Sequence, residues 1–302
     1  MTATRGLMPI LATPFRADGA LDPDSLRRLV SFQLESGADG VAVSGMASEA
    51  FALTADERST VTRTVVQTVN AAAADVPVVC GVNATSTVTA VEQALAAEQD
   101  GATALMVLPP YMVKPSPQQV VEFYGEVAAA TACEVMVQDA PGVTGVAMSP
   151  EMIARLADLP GITSVKVEAP PTAPKVAAVR DAVDDPGFAV LGGQNAQFCL
   201  DEYAGGAVGT MPACEFTDLL RPVLDDWAAG ETARARDGFA RLLPLIVFGL
   251  QPGPAWAVHK EVLVARGIID DATVRAPARQ LDPRARTGLR EILAGLGVAQ
   301  AG

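Results

Sequence analysis

Gly161-Ile-Thr-Ser-Val-Lys-Val-Glu168 is a short run rich in β-branched residues, and it reads as a buried strand carrying a single amine, Lys166. Only Lys114 and Lys175 join it before residue 259, so this amine is not part of a solvated basic stretch. A lysine on an apolar strand loses hydration, which lowers its pKa and leaves part of it neutral and nucleophilic. Schiff-base chemistry requires that state. The competing reading is a strand-end lysine whose stem packs on apolar surface while its head reaches water.

Outward from this run, short apolar segments alternate with helix-length amphipathic ones. The strands are expected at Leu7–Ala12, Gly40–Ser44, Val78–Val82, Ala104–Leu108, Val135–Gln138, Ile162–Val167, Ala189–Leu191 and Ala207–Thr210. Helix starts are marked by Asp22-Pro23, by the capping box Thr54-Ala-Asp-Glu57, by Pro115-Ser-Pro117 and by Ser149-Pro150. Gly37, Gly101 and Gly205-Gly206 fall where helices should stop. Eight strand–helix repeats without a break in composition point to an α/β fold, a (β/α)8 TIM barrel over residues 1–230. A doubly wound sheet is the competitor, but the first strand ends in Thr13-Pro14-Phe15 and lacks a Gly-x-Gly-x-x-Gly turn. Residues 231–302 read as a C-terminal helical extension of the same domain, with helices over Glu231–Leu250, Pro254–Arg266 and Asp282–Leu296. Asp270–Leu281 reads as an extended surface connection. In such a barrel the active site gathers at the C-terminal strand ends, which places Lys166 among polar groups.

Composition narrows the chemistry. Half the residues are hydrophobic, and 22 basic against 35 acidic residues give a net charge of −13, which argues against nucleic acid or an anionic membrane as partner. No apolar stretch reaches the roughly 20 residues of a membrane span. The four scattered cysteines and the Met1-Thr-Ala-Thr-Arg5 start fit a cytoplasmic protein without disulfides. The single histidine, His259, sits in a helical stretch far from the strand-end motifs, so a histidine-based triad or metal site is poorly supported.

The chain resembles the dihydrodipicolinate synthase / N-acetylneuraminate lyase family of class I aldolases. The resemblance rests on Pro9-Ile-Leu-Ala-Thr-Pro-Phe15, Gly45-Met-Ala-Ser-Glu49, Pro109-Pro-Tyr111, Pro141-x-x-Thr144-Gly145, Lys166, Gly192-Gly193 and Gly205-Gly-Ala-Val-Gly-Thr210. It implies a barrel, usually tetrameric, whose lysine forms a Schiff base with a small 2-oxo acid such as pyruvate, without metal or organic cofactor. Lys166 takes the nucleophile's place.

The departures from the family pattern concern the proton relay. The family's relay tyrosine at the end of the fifth strand falls at Gln138, whose amide does not titrate. The threonine pair that binds the substrate carboxylate falls at Met46 and Ala47, the preceding glycine is Gly45, and Ser48 offers one hydroxyl back to the turn. The arginine of the synthase branch falls at Val143, so authentic dihydrodipicolinate synthesis is not expected. Lys166 and Glu168 lie two apart on a strand and point to one face, making Glu168 the candidate proton shuttle or a charge partner of the lysine. Tyr111, Gly193 and Thr210 are candidate substrate contacts; Glu49 should support the carboxylate-binding turn by accepting backbone hydrogen bonds. Asp139 reads as a residue capping the loop after its strand. Together these residues predict a lyase, aldolase or dehydratase acting through Lys166, and as the alternative a catalytically impaired 2-oxo acid binding or regulatory protein. A homo-oligomer, tetramer or dimer, is expected.

Overall fold

A computed structural model describes residues 4–72 and 74–298. Its eight strands are β1 (Gly6–Leu7), β2 (Val41–Val43), β3 (Val78–Val82), β4 (Ala104–Val107), β5 (Glu134–Asp139), β6 (Ile162–Val167), β7 (Ala189–Gly192) and β8 (Gly209–Thr210). All pair in parallel, in the order β1-β8-β7-β6-β5-β4-β3-β2. Ile10 bridges both Ala42 and Ala213, and that closes the sheet into a (β/α)8 barrel.

The helix starts are built as the local chemistry dictates. Asp22 accepts from the Asp24 and Ser25 N–H groups, and Thr54 and Glu57 form a reciprocal capping box. Ser116 caps with Gln119 in the same manner, with proline following at the first helical position, and Ser149 accepts from the Met152 N–H. The first strand is shorter than Leu7–Ala12 because Pro9 has no N–H to continue the ladder. Its neighbours still hold the seam: Met8 N–H donates to the Thr210 carbonyl at 3.0 Å, and Ile10 N–H to that of Pro212 at 2.7 Å.

Two apolar layers fix the site's position. Inside the barrel, Met8, Ile10, Met106, Met136, Leu191 and Met211 form a filled floor. Toward the C-terminus, the helices Thr232–Phe248, Ala255–Ala265 and Pro283–Gly295 share one cluster with Leu7, Leu200 and Phe216 of the barrel. The connection before the last helix is extended and lies mostly at the surface, and it is fastened at points along its length. Its Arg275 N–H donates to Glu49, its Arg275 guanidinium reaches Glu57 at 2.7 Å, and Leu281 is buried.

Candidate active site

Lys166 stands on β6 beside Gln138 of β5 in register, and it is only 1% exposed. Its Nζ lies 3.1 Å from Glu168 Oε1, just past the strand end. Glu168 Oε2 accepts from the Gln138 amide at 2.7 Å, and the Glu168 N–H donates to the Asp139 carbonyl at 2.8 Å. Thus both carboxylate oxygens are held by side chains, one cationic and one neutral. Gln194 adds a third restraint, donating from its amide to the Glu168 carbonyl at 2.9 Å. Gly193 makes room for this carboxylate: a Cβ there would sit 2.3 Å from Glu168 Cγ.

The backbone around the site is strained. Ser44, Glu49 and the consecutive Gln194, Asn195 and Ala196 all have positive φ, between 50° and 60°, without being glycine. Such conformations cost on the order of 1 kcal/mol or more each and persist where packing over-determines them. Asn195 is pinned on both sides, accepting from the Ala213 N–H at 2.9 Å and donating to the Ile246 carbonyl at 3.2 Å.

The Gly45–Glu49 turn faces the lysine from across the mouth. Met46 to Ser48 form one 3-10 turn, and the N–H groups of Met46 and Ala47 meet no acceptor among the described residues. The turn is held from outside by the C-terminal helices: Trp256 Nε1 donates to the Met46 carbonyl at 2.6 Å. Thr13 donates to the Ser48 carbonyl at 2.6 Å. Glu49 does not brace the turn's own amides. It pairs at 2.5 Å with Lys260, both groups fully buried, and accepts from the Arg275 N–H at 2.9 Å. Burial pulls Lys260 down to about 8, with Glu49 opposing.

These groups open on a cavity of about 170 Å³ lined by Ile10, Met46, Ala47, Lys166, Glu168, Gln194, Trp256 and His259, among others. Gln138 lies just behind its wall through Glu168. Gly45 and Ser48 belong to the turn but do not line the cavity, and the Ser48 hydroxyl, like that of Thr210, is buried without a partner among the described residues. Tyr111 also lies outside the lining. Asp139 faces Lys175 at 3.4 Å, and burial raises its pKa while Lys175 and a backbone hydrogen bond from Met148 oppose.

Two groups were not visible as site residues in the sequence. His259, far from the strand-end motifs along the chain, reaches the cavity because the helix Ala255–Ala265 crosses the barrel mouth. Glu202, on the short helix Cys199–Ala204, is fully buried against the backbone of Gly192. Burial pushes its carboxyl up to about 7, with the Glu168 charge adding and Lys166 opposing. Only the absent side chain at Gly192 hinted at it.

A closed barrel with a buried lysine and a carboxylate at its C-terminal mouth is the frame of a lyase-type enzyme. The chain belongs to the dihydrodipicolinate synthetase family, whose model matches residues 3–296. It is 34% identical over 296 residues to L-2-keto-3-deoxyarabonate dehydratase of Azospirillum brasilense, covering 95% of this chain and 93% of that protein. It is 35% identical over 298 residues to 4-hydroxy-tetrahydrodipicolinate synthase 1 of Streptomyces coelicolor, covering 96% and 95%. The crystal structure of dihydrodipicolinate synthase from Rhodopseudomonas palustris superposes with a TM-score of 0.90 at 28% identity, over 98% of this chain and 99% of that one. Among the described residues no helix is long and apolar enough to cross a membrane.

Proposed function

We propose that this enzyme forms a Schiff base between Lys166 and a small 2-oxo acid and uses Glu168 in place of the missing tyrosine relay. The observation that carries the reading is the 3.1 Å contact between Lys166 Nζ and Glu168 Oε1 inside the barrel mouth. At that distance the carboxylate can take the ammonium proton as substrate enters, freeing the lone pair to attack the C2 carbonyl. Loss of water from the carbinolamine gives the iminium. A C3 proton then passes to a carboxylate oxygen, and its electron pair becomes the enamine. The enamine either adds through C3 to a carbonyl carbon, forming a C3–C4 bond, or expels hydroxide from C4 as the iminium is restored; in the cleavage direction the C3–C4 bond of the iminium breaks and its electron pair becomes the enamine.

The substrate carboxylate is assigned to the free N–H groups of Met46 and Ala47, with Gly45 and Ser48 shaping the turn. Gln138 orients Glu168 and does not titrate. Dihydrodipicolinate synthesis is not assigned, because Val143 and Gln138 can neither bind a second carboxylate nor relay a proton. Of the two named relatives, the dehydratase is the better guide: an apolar turn and a single carboxylate suit elimination from a 3-deoxy-2-oxo acid. We also assign a cytoplasmic location, in keeping with four free cysteines, and a homo-oligomer, dimer or tetramer, in keeping with exposed Met112 and Val113 beside Tyr111.

Incubation with pyruvate, reduction with borohydride and intact-mass measurement test the assignment. A pyruvate-sized adduct mapped to Lys166 and absent in Lys166→Ala is expected. No adduct with any 2-oxo acid in the wild-type enzyme would refute it.

A further inference from the structure

His259 is the cavity's one imidazole, and its surroundings prepare it for a task. Its Nδ1 lies 2.7 Å from Glu215 Oε1, and both side chains are buried. A buried carboxylate at Nδ1 holds that proton in place, so Nε2 is the atom that gains or loses one. Nε2 makes no hydrogen bond among the described residues, although His259 lines the cavity that contains Lys166 and Glu168. The other polar side chains there are committed. Asn195 and Trp256 donate to backbone carbonyls, Gln194 holds the Glu168 carbonyl, and Lys166 and Glu168 hold each other.

We propose that Nε2 of His259, oriented by Glu215, binds the C4 hydroxyl of the 2-oxo acid and exchanges a proton with it. The inference rests on the Schiff-base reading of Lys166 and adds the group at the substrate's other end. In dehydration, the enamine pair forms the C3–C4 double bond, the C4–O bond breaks, and the departing hydroxide takes the Nε2 proton to leave as water. The iminium is restored, and the proton taken from C3 by Glu168 balances the one His259 gave. In carbon–carbon cleavage the same nitrogen accepts the hydroxyl proton as the C3–C4 bond breaks. No metal or oxidant is needed in either direction.

The test compares 4-hydroxy-2-oxopentanoate with 2-oxopentanoate, which differ only in the C4 hydroxyl, by the concentration at which each half-saturates borohydride trapping on Lys166. The wild-type enzyme is expected to favour the hydroxylated acid by about tenfold or more, since a donor built to meet a hydroxyl is left unpaired by its absence. In His259→Gln and in Glu215→Gln the preference should fall to within about twofold, while pyruvate is trapped as in the wild type. A wild-type enzyme with no preference would overturn the proposal without recourse to any variant. So would a preference kept in either variant that still traps pyruvate. A wild-type enzyme that traps no 2-oxo acid would instead sink the Schiff-base reading, and the inference with it.

Discussion

Replacing Gly193 with alanine should separate the two halves of the proposed chemistry. The new Cβ would stand 2.3 Å from Glu168 Cγ and 2.9 Å from both Cδ and Oε1, against an ordinary contact of at least 3.4 Å. Glu168 must therefore retreat by about 1.1 Å (3.4 − 2.3). It cannot do so and keep both the 2.7 Å bond from Gln138 and the 3.1 Å contact with Lys166. A displacement of about 1 Å in a reacting group costs on the order of 100-fold in rate. The assay is exchange of the pyruvate methyl protons in D2O, followed by proton NMR, because it needs imine formation and C3 deprotonation but no knowledge of the natural substrate. Exchange should fall roughly 100-fold, while borohydride trapping at Lys166 survives. An alanine variant that exchanges within about twofold of wild type would refute the claim that this carboxylate's position matters.

Two further predictions concern the buried charges. Glu202 keeps its proton in the folded state up to about pH 7, whereas the unfolded chain releases it near 4.5, so its burial weakens the fold progressively as pH rises across that window. Glu202→Gln should gain stability relative to wild type by roughly 3 kcal/mol between pH 4.5 and pH 8, measured by denaturant unfolding at both pH values; a gap independent of pH would contradict it. Lys260→Met leaves the Glu49 carboxylate buried with only the Arg275 N–H, and should cost about 3–5 kcal/mol. Lys260→Met combined with Glu49→Gln should recover most of that loss, and a double variant as unstable as the single one would show that the pair is not the cause.

Much of this was legible in the chain because it depends on local rules. The capping residues at Asp22, Thr54, Ser116 and Ser149 satisfy N–H groups within three residues, so sequence distance and spatial distance agree. Lys166 and Glu168 share a face through the two-residue period of a strand, again a local relation. The errors come from long-range packing. His259 joins the mouth only because a helix more than 90 residues beyond Lys166 folds across it. Glu49 finds Lys260 and Arg275 from the C-terminal extension, and no periodicity near the turn could reveal partners so distant. Asp139 resembles a loop cap in sequence, yet it also pairs with Lys175, which lies beyond the next strand on the helix that follows it.

The central claim is that Glu168 has taken over proton transfer beside a retained Schiff-base lysine. Pyruvate methyl-proton exchange in Glu168→Gln, with trapping at Lys166 measured on the same sample, tests it most directly. The amide can keep a hydrogen bond to Lys166 but cannot carry a proton, so exchange should drop by about 100-fold or more while the reduced pyruvate adduct still forms. Exchange at the wild-type rate in that variant would contradict the account, and the proton would have to travel by another group.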